Sequence, residues 1–280
     1  VTRVDPDSSD LFAAARRCLD ATDPDEKVAL TQHYAAAFAR GELRIVADAP
    51  APALIGMPGR PSRPALVHPR HLHKRGLGSV EGRAAFLHAI AHIELNAIDL
   101  GWDAVYRFRG LPEAFYADWV GVANDESRHF ALLRARLQSF GYDYGDFDAH
   151  NGLWEMCEKT AHDGLARMAL VPRVLEARGL DVTPGMIAKL RVLGDDETVR
   201  ILELILREEV PHVAAGSRWY RWYCARQGVE PRAKFLQLLR DYAGPYLRGP
   251  FNVQARLLAG FEQEELDALA ALEPPRSPAS

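Results

Sequence analysis

Two stretches of this chain repeat one oddity: a Glu and a His three residues apart, set into the apolar stripe of a long amphipathic helix. They are Glu126–His129 and Glu209–His212. The first lies in the stripe Phe115, Trp119, Val122, Glu126, His129, Leu133, Leu137, Phe140. The second lies in Val199, Leu202, Leu206, Glu209, His212, Gly216, Trp219, Tyr223. Spacings of three and four keep these residues on one face, which is the seam pattern of a helical bundle. A glutamate is almost never fully buried unless it is paired. A carboxylate and an imidazole at i and i+3 share a face, and both can reach one metal ion.

A third stripe runs over 82–108 through Leu87, Ala91, Glu94, Ile98, Gly101, Val105 and Phe108. It predicts a helix ahead of the second one at 112–140, with Pro112 in the first turn of the latter and Gly141 past its end. Gly110 stands midway between Glu94 and Glu126. Two antiparallel helices turning there place both carboxylates at one height, about 24 Å from the turn at 1.5 Å per residue. The same reasoning pairs Glu209, on a helix over 196–227, with Glu176 on a third helix over 152–178. Their midpoint falls beside the break Leu193-Gly194-Asp195.

Other acids and a histidine on the third helix compete with Glu176: Glu155, Glu158, His162 and Asp163. His162 and Glu176 lie about 21 Å apart along a helix, so only one can reach the metal level, and the midpoint favours Glu176. Four carboxylates at one level would repel and would be costly to desolvate. Two divalent ions cancel their charge, and two imidazoles complete the donor set.

Prolines mark irregularity near the candidate site. Pro172 and Gly179 bracket Glu176, and Thr183-Pro184 is expected to open a further helical piece, so the third helix should be broken or kinked. Pro211 should kink the fourth helix by freeing the carbonyl of Arg207. Asp125 and Glu208, next to the motif glutamates, are placed to orient the opposite histidines, since metal-bound imidazoles usually donate their other N–H to a carboxylate. His88, His92 and Asn96 fall off the Glu94 stripe and read as polar core or surface residues.

The first 45 residues predict two short helices, one capped by Ser8 or Ser9 and one opened by Asp23-Pro24 and closed by Gly41. Residues 47–80 are proline-rich and carry no helical or strand period. They hold Arg60, Arg63, Arg70, Lys74 and Arg75 and no acid after Asp48. This arm reads as a wrap over the bundle, as a cover for an active-site mouth, or as a contact for an anionic substrate such as RNA. It has no aromatic residues between 56 and 75 for stacking on bases. Two more helices are expected near 231–242 and 254–272, with a frayed end from Pro274.

Bulk properties narrow the class without naming a substrate. The chain has 280 residues, 48% hydrophobic and 26% charged, with a formal net charge of −4. That balance argues neither for nucleic acid nor for a membrane surface. Three dispersed cysteines (Cys18, Cys157, Cys224) suggest a reducing compartment, not a disulfide framework or a zinc site. With no apolar leader or long apolar run, the expected location is cytoplasmic.

One Glu, then Glu-x-x-His, then Glu, then Glu-x-x-His resembles the pattern of ferritin-like di-iron carboxylate proteins. The blocks AHIELNAIDL (91–100), DESRHF (125–130), YGDFDAHNGLWE (144–155), TAHDGLARMALVPRVLEARGLDVTP (160–184) and EEVPHVAAGSRWY (208–220) more closely resemble an uncharacterised bacterial ferritin-like family, a domain of unknown function. The spacing is also similar to that of tRNA-hydroxylating di-iron monooxygenases. The resemblance implies an all-α, ferritin-like four-helix bundle with an N-terminal helical arm and extra C-terminal helices. It implies Glu94, Glu126, His129, Glu176, Glu209 and His212 as ligands of two iron ions, with manganese as the other metal. Pro211 departs from the small residue expected there. Leu133 stands where ribonucleotide reductase small subunits carry a radical tyrosine one heptad after the second-helix Glu, which argues against a stored radical of that kind. His162 and Tyr220 remain candidates near the site, as do Tyr106, Tyr116 and Tyr223.

The expected organisation is an arm over 1–81, the bundle over 82–228 and C-terminal helices over 229–280. The expected function is a non-haem di-iron oxidase or monooxygenase acting on a small molecule or RNA, with a separate electron donor and a homodimer as a candidate assembly. A ferroxidase or peroxide scavenger is one alternative. A non-catalytic binding module with a structural metal is another.

Overall fold

The computed structural model describes residues 9–73, 75–243 and 249–271. Lys74 and the tail from Pro274 lie outside the described residues. The described chain is all-helical: it has no strand, only isolated bridges joining Asp10 to Arg44 and Leu66 to Ala149. Helices α1 (Leu11–Asp20) and α2 (Pro24–Ala39) come first, then α3 (Val80–Arg107) and α4 (Glu113–Ser139). After them come α5 (Gly152–Lys159), α6 (Gly164–Leu170), a π-helical turn (Val171–Glu176), α7 (Ala177–Val192) and α8 (Asp196–Gln227). The helices α9 (Pro231–Leu238), α10 (Val253–Leu258) and α11 (Gln263–Ala271) complete the order.

The chain forms two compact units, one up to residue 158 and one from residue 159. The N-terminal arm belongs with α3 and α4, and the C-terminal helices belong with α6 to α8.

In the first unit, the α3–α4 hairpin turns at Gly110, whose φ of 67° suits glycine. The helices approach closely at Gly101: a Cβ there would stand 3.0 Å from the Ala123 Cβ and 3.1 Å from the Trp119 carbonyl oxygen. The first helix starts at Asp10, whose carboxylate accepts from the Phe12 and Ala13 amides. Asp10 therefore takes the capping role expected of Ser8 or Ser9, since a carboxylate caps at least as well as a hydroxyl. Trp102, Phe115, Tyr116 and Phe130 are fully buried, and each such side chain contributes about 1.5–3 kcal/mol.

The arm runs over this unit in irregular conformation, with one 3₁₀ turn at Pro69–His71. The Gly59 amide donates to the Leu19 carbonyl at 2.6 Å, the Trp154 indole donates to the Gly56 carbonyl at 2.8 Å, and the Ala53 amide donates to the Tyr106 hydroxyl at 3.0 Å. A Cβ on Gly59 would meet the Asp20 carbonyl oxygen at 2.3 Å, so only glycine passes there.

The single third helix expected over 152–178 is instead α5, which closes the first unit, and then α6, the π-turn and the start of α7 in the second. Asp163 caps α6 through the Leu165 amide at 2.8 Å. Pro172 lacks an amide hydrogen, and its ring would clash with the carbonyl four residues back, so the ladder widens around it. Neither other proline breaks its helix. α7 continues through Pro184, and α8 runs from Asp196 to Gln227 through Pro211.

Candidate metal centre

Glu94 on α3 and Glu126 and His129 on α4 meet inside the first unit. The His129 Nδ1 lies 3.2 Å from a Glu126 carboxylate oxygen and 3.4 Å from a Glu94 carboxylate oxygen. One ligand atom from each of the three residues lies within 4.8 Å of the others. All three are buried, at 4%, 1% and 0% exposure, so water does little to screen them. Burial favours the neutral imidazole. Hydrogen bonds that the ring donates to Glu126 and Glu94, with the charges of the two carboxylates, outweigh that effect and raise its pKa to about 11. The hairpin thus brings Glu94 and Glu126 to one height, as the midpoint at Gly110 anticipated. This buried cluster of two carboxylates and an imidazole can bind a metal ion.

The second unit carries the same residue types. Glu209 and His212 are buried on α8, with His212 Nδ1 3.8 Å from a Glu209 oxygen. Half-buried Glu176 is the last residue of the π-turn. That turn docks on α8, because a Cβ on Gly216 would fall 2.4 Å from Pro172 Cβ and Cγ. Gly216 lies four residues beyond His212, so turn and histidine share a face of α8.

Other candidate residues are placed differently. His162 is exposed in the turn between α5 and α6. Tyr220 is buried, and its hydroxyl donates to the Pro231 carbonyl at 2.6 Å. Asp125 is half-buried and pairs with Arg128 at 2.6 Å on its own helix, and Glu208 is half-buried on α8. Among the basic residues, Arg60 turns inward, donating to Asn96 Oδ1 at 2.5 Å. Arg75 pairs with Glu81 at 3.2 Å and covers the Phe147 ring. Arg63 and Arg70 are exposed.

A second polar stripe on α3 is not anticipated by the sequence pattern alone. His88, His92, Asn96, Asp99 and Asp103 are all buried, at spacings of four, four, three and four. The helical repeat puts them opposite Glu94. Asp99 forms a buried ion pair with Lys27, which also donates to the Cys18 carbonyl at 3.0 Å. His92 Nε2 lies 3.0 Å from the His150 carbonyl oxygen and 3.2 Å from the Asn96 Nδ2, and its Nδ1 lies 2.8 Å from the Tyr144 hydroxyl. The Asp103 carboxylate receives Arg107 at 2.6 Å and the Cys157 thiol at 3.2 Å. The recurrence of polar residues at these spacings was the available signal.

The match to known proteins covers both donor sets. Residues 20–267 match a family described as "Protein of unknown function (DUF455)". The chain belongs to the DUF455 family. An uncharacterized protein of Haemophilus influenzae is 49% identical over 220 residues, covering 76% of each chain. No solved structure matches significantly. Among the described residues of this DUF455 chain, no helix is long and apolar enough to cross a membrane, and the three cysteines form no disulfide.

Proposed function

We propose that this DUF455 chain is a non-haem di-iron oxidase or monooxygenase built on a ferritin-like four-helix bundle. The observation that carries the reading is the buried cluster of Glu94, Glu126 and His129. Taken by themselves, two carboxylates and one imidazolium leave one negative charge. A divalent ion in place of the Nδ1 proton brings the three residues to neutrality. Carboxylate and imidazole donors suit iron or manganese, so the donor set fits the metal that the resemblance implies.

Glu94, Glu126 and His129 would hold one ion, and Glu176, Glu209 and His212 the other. When bound, an iron pair supplies the reduction of O₂ that allows an organic substrate to be hydroxylated or desaturated. The chain's own part is to place the donors, keep them dry and give up the His129 proton on loading, so metal binding should release acid. The substrate is a small molecule or an RNA, and electrons come from a separate donor.

Metal analysis tests the assignment. Purified protein reconstituted with Fe(II) under anaerobic conditions should hold about two irons per chain, and the reduced form should consume O₂. Glu126→Ala and Glu209→Ala should each lose the two irons together, with helix content unchanged. A folded protein that binds no iron, or only zinc, overturns the reading. Iron without O₂ uptake leaves a structural metal site instead.

A further inference from the structure

Arg173 is a charged residue in an unusual place: 1% exposed, at the third position of the π-turn and three residues before Glu176. Its Nη2 donates to both carboxylate oxygens of Glu265 on α11, at 2.8 and 2.9 Å, and its Nε donates to the Ser217 hydroxyl at 3.2 Å. The guanidinium carbon lies 4.7 Å from the centre of the Tyr220 ring, 4.2 Å from Phe235 and 4.4 Å from Phe261. Glu265 is itself held by the Glu262 amide at 3.0 Å. Residues of α8, α9 and α11 thus converge on one side chain of one turn.

Burying an ion pair is a poor way to gain stability, because desolvation offsets the attraction, whereas apolar residues of the same volume do as well. What a charge-assisted pair, one nitrogen held between both carboxylate oxygens, adds is direction. Here that direction fixes the π-turn. Its neighbour Pro172 is seated against Gly216 of α8, so two consecutive residues of the turn are held, one on α8 and one on α11. A π-turn accommodates one residue more than the α-helical ladder does. Relaxation to α register would rotate the residues downstream of the turn by about 100°, and Glu176 closes the turn.

We infer that the Arg173–Glu265 pair is a positioning device, by which the C-terminal helices hold the π register and aim the Glu176 carboxylate at the ion it shares with Glu209 and His212. This rests on the assignment of Glu176, Glu209 and His212 as metal ligands. α9 to α11 are then a clamp on one ligand, and Arg173 acts through Glu176 without touching the ion.

The test removes the pair as a pair. Arg173→Met/Glu265→Met keeps volume and leaves no unpartnered charge. In the full chain reconstituted with Fe(II), the double variant should hold one iron where the wild type holds two. The remaining iron should vanish when Glu126→Ala is added. Glu176→Gln should reproduce the loss, and Arg173→Lys, which keeps the charge with a single contact, should restore part of the second iron. Amides of Val174 to Ala177 should exchange faster in the double variant, while those of α3 and α4 keep their protection. A double variant that binds two irons with wild-type affinity overturns the inference, even if its thermal midpoint falls, since a merely structural pair would do that. If the wild type binds no iron, the function falls by itself. Amide exchange then decides the clamp, and unchanged protection at 174–177 overturns that too.

Discussion

His129 and His88 are both fully buried, and their surroundings push them in opposite directions. Two carboxylates hold the first protonated. The second has its Nε2 occupied as the acceptor of the Gly145 amide at 2.9 Å and stacks on Tyr144. Burial lowers the His88 pKa from 6.5 to about 4, against the weaker pull of Asp146 and Asp148. Because the folded value lies below the unfolded one, the unfolded chain takes up the proton first as pH falls. The stabilising contribution is complete above pH 6.5 and is lost progressively down to about pH 4. Urea unfolding at pH 7 and pH 4.5 should show the loss, and His88→Gln should reduce the difference between the two. Glu94, Glu126 and His129 were legible in the sequence because a charged residue on an apolar stripe demands a reason. Arg173 was not, since Glu265 lies 92 residues away and no periodic pattern links them.

Among the elements, α3 carries two buried polar faces, and α2 is tied to one of them through Lys27 and Asp99. Lys27→Met would leave Asp99 buried without its cation, which is expected to cost about 3–5 kcal/mol. Lys27→Met/Asp99→Leu should recover most of that loss in chemical denaturation. If the double variant is no more stable than the single one, the pair is not what links the helices. Long helices were legible from their stripes: those expected at 82–108, 112–140 and 196–227 appear as α3, α4 and α8, within two residues at each end. The third was not. Asp163 caps a new start and Pro172 widens the ladder, whereas Pro184 and Pro211 stay inside helices although an internal proline costs about 3 kcal/mol. Local proline chemistry is the same at all these sites, and the packing around each one decides the outcome.

For the whole molecule, the division at residue 158 gives each unit its own set of two glutamates and a histidine. A ligand that binds only the folded state stabilises in proportion to its affinity. Calorimetry of the metal-free chain should therefore show two transitions, and Fe(II) should raise both. In Glu126→Ala, which should lose both irons, neither transition should still respond. A shift confined to one transition in the wild type would rule out one ion for each set. The three cysteines supply an independent clock for the same question. Cys18 and Cys157 are sealed in the first unit and Cys224 in the second, each at 0% exposure. A thiol reagent can modify them only when their own unit opens. The order in which the labels appear by mass spectrometry, without any engineered probe, reads out which half of the molecule breathes first and which half a bound metal quiets.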